Sequence, residues 1–150
     1  YDLRRLFKHP ELHYMGPYDD FHSLPTESYD AMIYTGVRDG MPDVVLEAMM
    51  EGLAVIASNA GCIPEIILDG VTGYLVDDDP EDNKLVANYC DKILELYDDW
   101  KKTTEICRCA RESVAVQHGN RAFSDAVRSA FLSPREDGDE STLTGVKQSE

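Results

Sequence analysis

An α/β fold, a parallel sheet with helices packed on it, is predicted by three features of the chain. Short apolar runs that end at glycine alternate with longer segments whose apolar residues recur every three or four positions. Short glycine- and proline-bearing turns join them, which is the pattern of βαβ units, and there is no internal repeat. At 150 residues, 43% of them hydrophobic, the chain has the length and composition of one globular domain with a substantial core.

The elements follow in order. Residues 1–8 read as the tail of an interrupted helix, and with Tyr1 in place of an initiating Met the chain is expected to be cut from a longer one. Residues 12–16 (LHYMG) form an apolar, aromatic run ending at Gly-Pro and predict a first short strand. Turn residues with room for one helical turn follow, and residues 29–36 (YDAMIYTG) predict a second strand. Asp43 after Pro42 suits a helix N-cap, and Val44, Val45, Ala48 and Met49 keep helical spacing until Gly52. Residues 53–58 (LAVIAS) predict a third strand. Three glycines and a proline then surround one apolar turn, and YLVDD at 74–78 predicts a fourth. Helices are predicted over 81–97, 101–116 and 121–132, the first with Leu85, Val86, Tyr89, Ile93, Leu96 and Tyr97 in period. Residues 133–150 have no periodicity and few apolar side chains, the composition of a disordered acidic tail, so the folded domain is expected to span 1–132. Because the alternation begins in mid-pattern, the sheet is expected to be incomplete at its N-terminal side.

Charge excludes several functions. A net charge of -15, from 29 Asp and Glu against 14 Lys and Arg, opposes nucleic-acid binding and adhesion of this segment to anionic lipid. The longest apolar stretches run about six residues, well short of the roughly 20 a membrane helix needs. Cys62, Cys90, Cys107 and Cys109 show no CxxC spacing for zinc or redox chemistry, so reduced thiols in a cytoplasmic protein are expected.

Ligands of an open parallel sheet bind beyond the carboxyl ends of its strands. Residues 36–42 fall at such an end, ahead of a helix whose first amides and positive dipole end favour a phosphate. Between His9 and Asn83, however, Arg38 is the one Lys or Arg against 16 Asp and Glu. Phosphate binding here must use backbone amides and the helix dipole, or cations borrowed from elsewhere. Arg38 itself reads equally as a phosphate contact or as an exposed charge. Asp39 and Glu47 would repel phosphate, so neutral hydroxyls are their natural targets, and a carboxylate accepts two hydrogen bonds from a vicinal diol. Diols with phosphate describe a sugar nucleotide.

The stretch DGMPDVVLEAMMEGLAVIASNAGCIPEIILDGVTGYLV closely resembles the donor-binding half of GT-B glycosyltransferases of the large retaining class, family 4 or glycosyl transferases group 1. The shared pattern is an acid, seven residues, Glu, then Ala-Met, a glycine, a Pro-Glu turn and a Gly-x-x-Gly turn into a short strand. The resemblance extends from about Leu12 to Tyr97 and implies a Rossmann-like, N-terminally incomplete half of a GT-B fold. It implies that Glu47 hydrogen-bonds the ribose and that Asp39 faces the transferred sugar near the reacting carbon. The amides of Gly40, Met41, Pro42 (which has only its carbonyl), Asp43 and Val44 would then line sugar and diphosphate. Pro17 and Tyr18 match the segment flanking the nucleobase, and Gly61 with Cys62 a flexible glycine pair near the donor. Two residues depart from the pattern: Asp39 is commonly Glu, and Cys62 stands for a common Gly, which would restrict that loop. Also absent are the basic residues that neutralise the leaving diphosphate, so the chain alone is expected to be inactive. The implied enzyme moves a hexose from a UDP- or GDP-sugar to a glycan, lipid or other acceptor bound by an N-terminal domain of the same protein, with no metal and no cofactor. The competing readings are a non-catalytic nucleotide- or partner-binding module and a sugar-nucleotide epimerase. Glu65, after Pro64, reads mainly as an acid of a first helical turn, and His13, His22 and His118 as surface or strand residues.

Overall fold

The computed structural model describes residues 9–38 and 40–132; Asp39, residues 1–8 and the expected tail from 133 onward lie outside the described residues. Three parallel strands form the sheet, β1 (Ala31–Tyr34), β2 (Ala54–Ser58) and β3 (Tyr74–Val76), in the order β1-β2-β3. Ile33 pairs in register with Ile56, and Ile56 with Tyr74. Every residue of β2 is buried, as its unbroken AVIAS run requires of a strand covered on both faces. This is the Rossmann-like α/β architecture that the sequence predicts.

Alternation along β2 divides the core. Val55 and Ala57 face helix α1 (Asp43–Glu51), packing with Val45, Ala48 and Met49, and with Ile63 and Ile66 of the short helix α2 (Ile63–Ile66). Ala54 and Ile56 face the other way, toward Tyr74, Val76 and Leu96, the last from helix α3 (Asp82–Asp98). Helix α4 (Trp100–Gln117) serves both layers, with Ile106 in the second cluster and Ala110 and Val114 in the first. Contacts divide the chain into two units, Tyr1–Ala115 and Val116–Glu150. The second contains helix α5 (Asn120–Leu132), whose Phe123, Val127 and Phe131 recur four apart and are exposed.

Helix α1 stops where the sequence stops it. Gly52 takes the left-handed region at φ 86, and its amide donates to the carbonyls of Ala48 and Met49. The Arg111 Nε donates to the Met50 carbonyl at 2.6 Å, bringing a cation to the negative end of the helix. At the other end the expectation changes by one residue. Pro42 is the N-cap and Asp43 the first helical residue, with no side-chain capping bond. Proline before Asp43 fixes an extended backbone but offers no oxygen to the first amides.

The predicted strand at 12–16 does not form. The Leu12 amide donates to the His9 carbonyl in a turn, and Tyr14 and Met15 are 68% and 69% exposed. A strand is stabilised by a neighbour's ladder, and no described strand lies beside these residues to supply one. The other predicted strands are present but shorter, 31–34 within 29–36 and 74–76 within 74–78, and two 3-10 turns, Phe21–Ser23 and Thr26–Ser28, occupy the connection before β1.

Candidate functional site at the carboxyl ends of the strands

The carboxyl ends of the three strands are tied to one another by side chains. Ser58, the last residue of β2, donates its hydroxyl in a short bond to the Gly36 carbonyl in the loop after β1. The Asn59 amide donates to the Val76 carbonyl at 2.7 Å, and Asn59 Nδ2 donates to Asp77 Oδ1 at 2.6 Å. From α3, the Tyr89 hydroxyl donates to the Tyr34 carbonyl at 3.3 Å, and burial pushes this phenol up from its ordinary pKa. Thr35, Val37, Ser58, Val76, Leu85 and Tyr89 are among the side chains lining a largely apolar cavity of about 170 Å³ beneath these loops. Sequence reading missed Ser58, Asn59 and Tyr89 as parts of this end of the sheet. Their partners are 22, 17 or 18, and 55 residues away, so no local pattern announces them.

The loop carrying the predicted donor residues leads from β1 into α1. Gly40, Met41 and Asp43 are exposed, while Pro42 and Val44 are half-buried. The amides of Gly40, Met41, Asp43 and Val44 donate to no other described residue, and the first capped amide is Val45, bonded to the Pro42 carbonyl at 3.0 Å. One turn into the helix, Glu47 is half-buried and makes no hydrogen bond or ion pair with any described residue. Arg38, at the start of the loop, is exposed and likewise unpaired among the described residues. Uncapped amides, an unengaged carboxylate one turn behind them and a free guanidinium thus share one loop and helix start. This arrangement can donate to an anionic oxygen and accept from a hydroxyl. Asp39 lies outside the described residues.

Tyr18 and Val44 border one apolar groove of about 340 Å³, together with Phe21, Leu24, Tyr29 and Met32. Two residues predicted for opposite ends of a donor are therefore brought beside the same surface; Pro17, next to Tyr18, is exposed. Gly61 and Cys62 lie apart from that groove, in the loop between β2 and α2. Gly61 takes the positive φ of 58. Cys62 has φ -89 and ψ 0, a negative φ that does not require glycine. Glu65 is exposed in the single turn of α2.

Elsewhere, His22 Nδ1 lies 2.8 Å from Glu51 Oε1, a pairing 29 residues apart that sequence spacing does not reveal. All four cysteines are free thiols, and burial pushes the Cys107 thiol up, away from the reactive thiolate. No three His, Cys, Asp or Glu side chains among the described residues cluster closely enough to hold a metal ion. No described helix is long and apolar enough to cross a membrane.

Comparison with known proteins agrees with this architecture. Residues 2–99 match the family described as Glycosyl transferases group 1. The Vi polysaccharide biosynthesis protein VipC/TviE of Salmonella typhi is 31% identical over 96 residues, which are 61% of this chain and 16% of that protein. Among solved structures, the C-terminal domain of the group 1 glycosyl transferase LpcC from Francisella tularensis is 31% identical with a TM-score of 0.55. The match covers 71% of this chain and 53% of that domain. Anabaena HepE, solved in complex with UDP, is 26% identical with a TM-score of 0.54, over 69% of this chain and 29% of HepE. The chain therefore spans about a sixth of the Salmonella relative and about half of the Francisella domain. With the family pattern covering 2–99 and the parallel sheet in place, the chain belongs to the glycosyl transferases group 1 family.

Proposed function

We propose that these residues are the donor-binding part of a retaining, family 4 enzyme of GT-B type. The complete protein would transfer a hexose from a UDP- or GDP-sugar to a glycan, lipid or other acceptor in polysaccharide biosynthesis. The observation that carries this reading is Glu47, a half-buried carboxylate with no partner among the described residues, one turn behind helix amides that likewise have none among them. Leaving a partly buried carboxylate unpaired costs free energy, and a ribose diol in the bound state removes that cost. The UDP held by the 26% identical HepE and the polysaccharide role of the Salmonella relative support the same reading.

In this reading Asp39 faces the sugar, the amides of residues 40–44 receive sugar and diphosphate, Pro17 and Tyr18 flank the base, and Gly61 and Cys62 border the donor. Neutralising cations and the acceptor site come from a domain outside these residues. The helix end and those cations take the role a metal would otherwise have, and the enzyme works in the cytoplasm.

Glu47→Gln in the complete enzyme tests the proposal. Loss of a charge-assisted hydrogen bond should weaken donor binding by about 1.5–3 kcal/mol, roughly ten- to a hundredfold in Kd, with the fold intact. Calorimetry with UDP- and GDP-sugars measures it, and unchanged affinity would remove the ribose role.

A further inference from the structure

Ser58 is the one polar residue of β2 and is buried with the rest of that strand. A buried hydroxyl needs a hydrogen-bond partner, because leaving it without one costs more than an apolar group would. Its partner is not in the sheet. The last registered pair of β1 and β2 is Tyr34 with Ala57, and Ser58 itself pairs with Val76 on the other side. The Ser58 hydroxyl reaches the Gly36 carbonyl, two residues beyond the end of β1. A side chain thus continues the β1–β2 connection past the point where the ladder stops.

Two further contacts tighten the same spot. The Tyr89 hydroxyl, a neighbour of the Ser58 hydroxyl, donates to the Tyr34 carbonyl at 3.3 Å. A Cβ at Gly36 would lie 2.5 Å from the Tyr34 hydroxyl, so that side chain occupies the space a larger residue would need. From Gly36 the chain runs to Pro42 with no hydrogen bond joining residues 37, 38, 40 or 41 to another described residue. The next hold is the Val45 amide on the Pro42 carbonyl, at 3.0 Å. One end of the loop is therefore held by α1 and the other by Ser58 and Tyr89, from β2 and α3. Arg38 and the amides of Gly40 and Met41 fall between these holds.

We propose that Ser58, with Tyr89 beside it, positions this loop for the donor, an assignment that rests on the donor reading given above. Neither side chain touches the substrate in this role. Fixing Gly36 sets where Arg38 and the Gly40 and Met41 amides stand toward sugar and diphosphate, and a displacement of about 1 Å at such groups can cost about a hundredfold in rate.

Trypsin tests the hold without any ligand. Arg38 is the one Lys or Arg between His9 and Asn83, so cleavage after it reports opening of this loop. In the complete enzyme, Ser58→Ala should speed that cleavage about tenfold relative to cleavage after Lys101 in α4, and Tyr89→Phe should act in the same direction. An unchanged ratio in Ser58→Ala overturns the proposal. Kinetics well below the melting temperature test the function. Ser58→Ala should lower turnover of the UDP- or GDP-sugar about tenfold or more, mainly in kcat, because Glu47 is carried by α1. Ser58→Thr keeps the hydroxyl, its methyl has room in the adjoining cavity of about 170 Å³, and it should restore both readouts. Wild-type kcat in Ser58→Ala, or a Thr variant as impaired as the Ala variant, overturns the positioning role alone. A wild-type enzyme that binds neither sugar nucleotide by calorimetry overturns the donor reading and this role with it, whatever the cleavage ratio.

Discussion

Two side chains, Asp39 and Tyr74, carry charge or polarity whose role a single substitution tests. Asp39, under the proposed reading, lies at the sugar, where a glycosyl group leaving a diphosphate gains positive character at the anomeric carbon as in glycoside hydrolysis. Asn has the same turn preference as Asp but no charge, so Asp39→Asn separates a turn-former from a charge that acts in the transition state. Turnover of the complete enzyme should fall more than tenfold, about 1.4 kcal/mol of barrier, with little change in nucleotide affinity. Wild-type turnover would leave Asp39 as a turn residue. Tyr74 poses the opposite case. Its hydroxyl is buried and has no hydrogen-bond partner among the described residues, while Lys92 and Lys102 lie over its ring, 5.4 and 5.8 Å from the centroid. Phenylalanine keeps the ring for both cations and removes the unsatisfied group. Thermal melts of Tyr74→Phe should match or exceed wild type; a fall of several degrees would show that the hydroxyl binds a water or ligand.

Among the elements, the α3–α4 corner depends on one buried hydroxyl. The Thr103 side chain donates to the Leu96 carbonyl at 2.9 Å, with Thr103 1% exposed and Leu96 in the core. That carbonyl belongs to the last turn of α3, where helix acceptors lack an internal partner. Thr103→Val preserves shape and leaves the acceptor buried and unsatisfied, which costs about 1–3 kcal/mol. Denaturant unfolding of the variant should show a lower midpoint at unchanged slope. An unchanged midpoint would mean that water reaches the corner. Helix α1 differs at its two ends: Gly52 and Arg111 satisfy its far end, while Pro42 leaves the near end without a side-chain cap, the end that the proposed reading turns to the donor.

At the scale of the molecule, electrostatics is dominated by repulsion. The chain carries a net -15, and its described ion pairs, such as Lys84–Glu81 and Arg108–Glu112, are solvent-accessible and contribute little. At about 0.01 M salt the screening length is about 30 Å, long enough for the acids to repel across the domain, whereas at about 0.15 M it is about 8 Å. Adding sodium chloride over that range should raise the melting temperature, although it also weakens the surface pairs. A melting temperature that falls with salt would mean that the pairs outweigh the repulsion.

Local patterns in the sequence were enough to determine three of the four expected strands and the four long helices to within a residue at each end. The buried AVIAS run, the periodic residues of α3 and the glycine after α1 act over a few residues, and such preferences survive in any context. They also marked the loop before α1 and Glu47 within it as candidates. Tertiary structure alone decided what depends on neighbours distant in the chain. Ser58 reaches the loop after β1, Arg111 reaches the end of α1, and Tyr18 shares a groove with Val44. Residues 12–16 show the same rule in reverse: their strand composition is local, but a strand exists only where another supplies its hydrogen bonds.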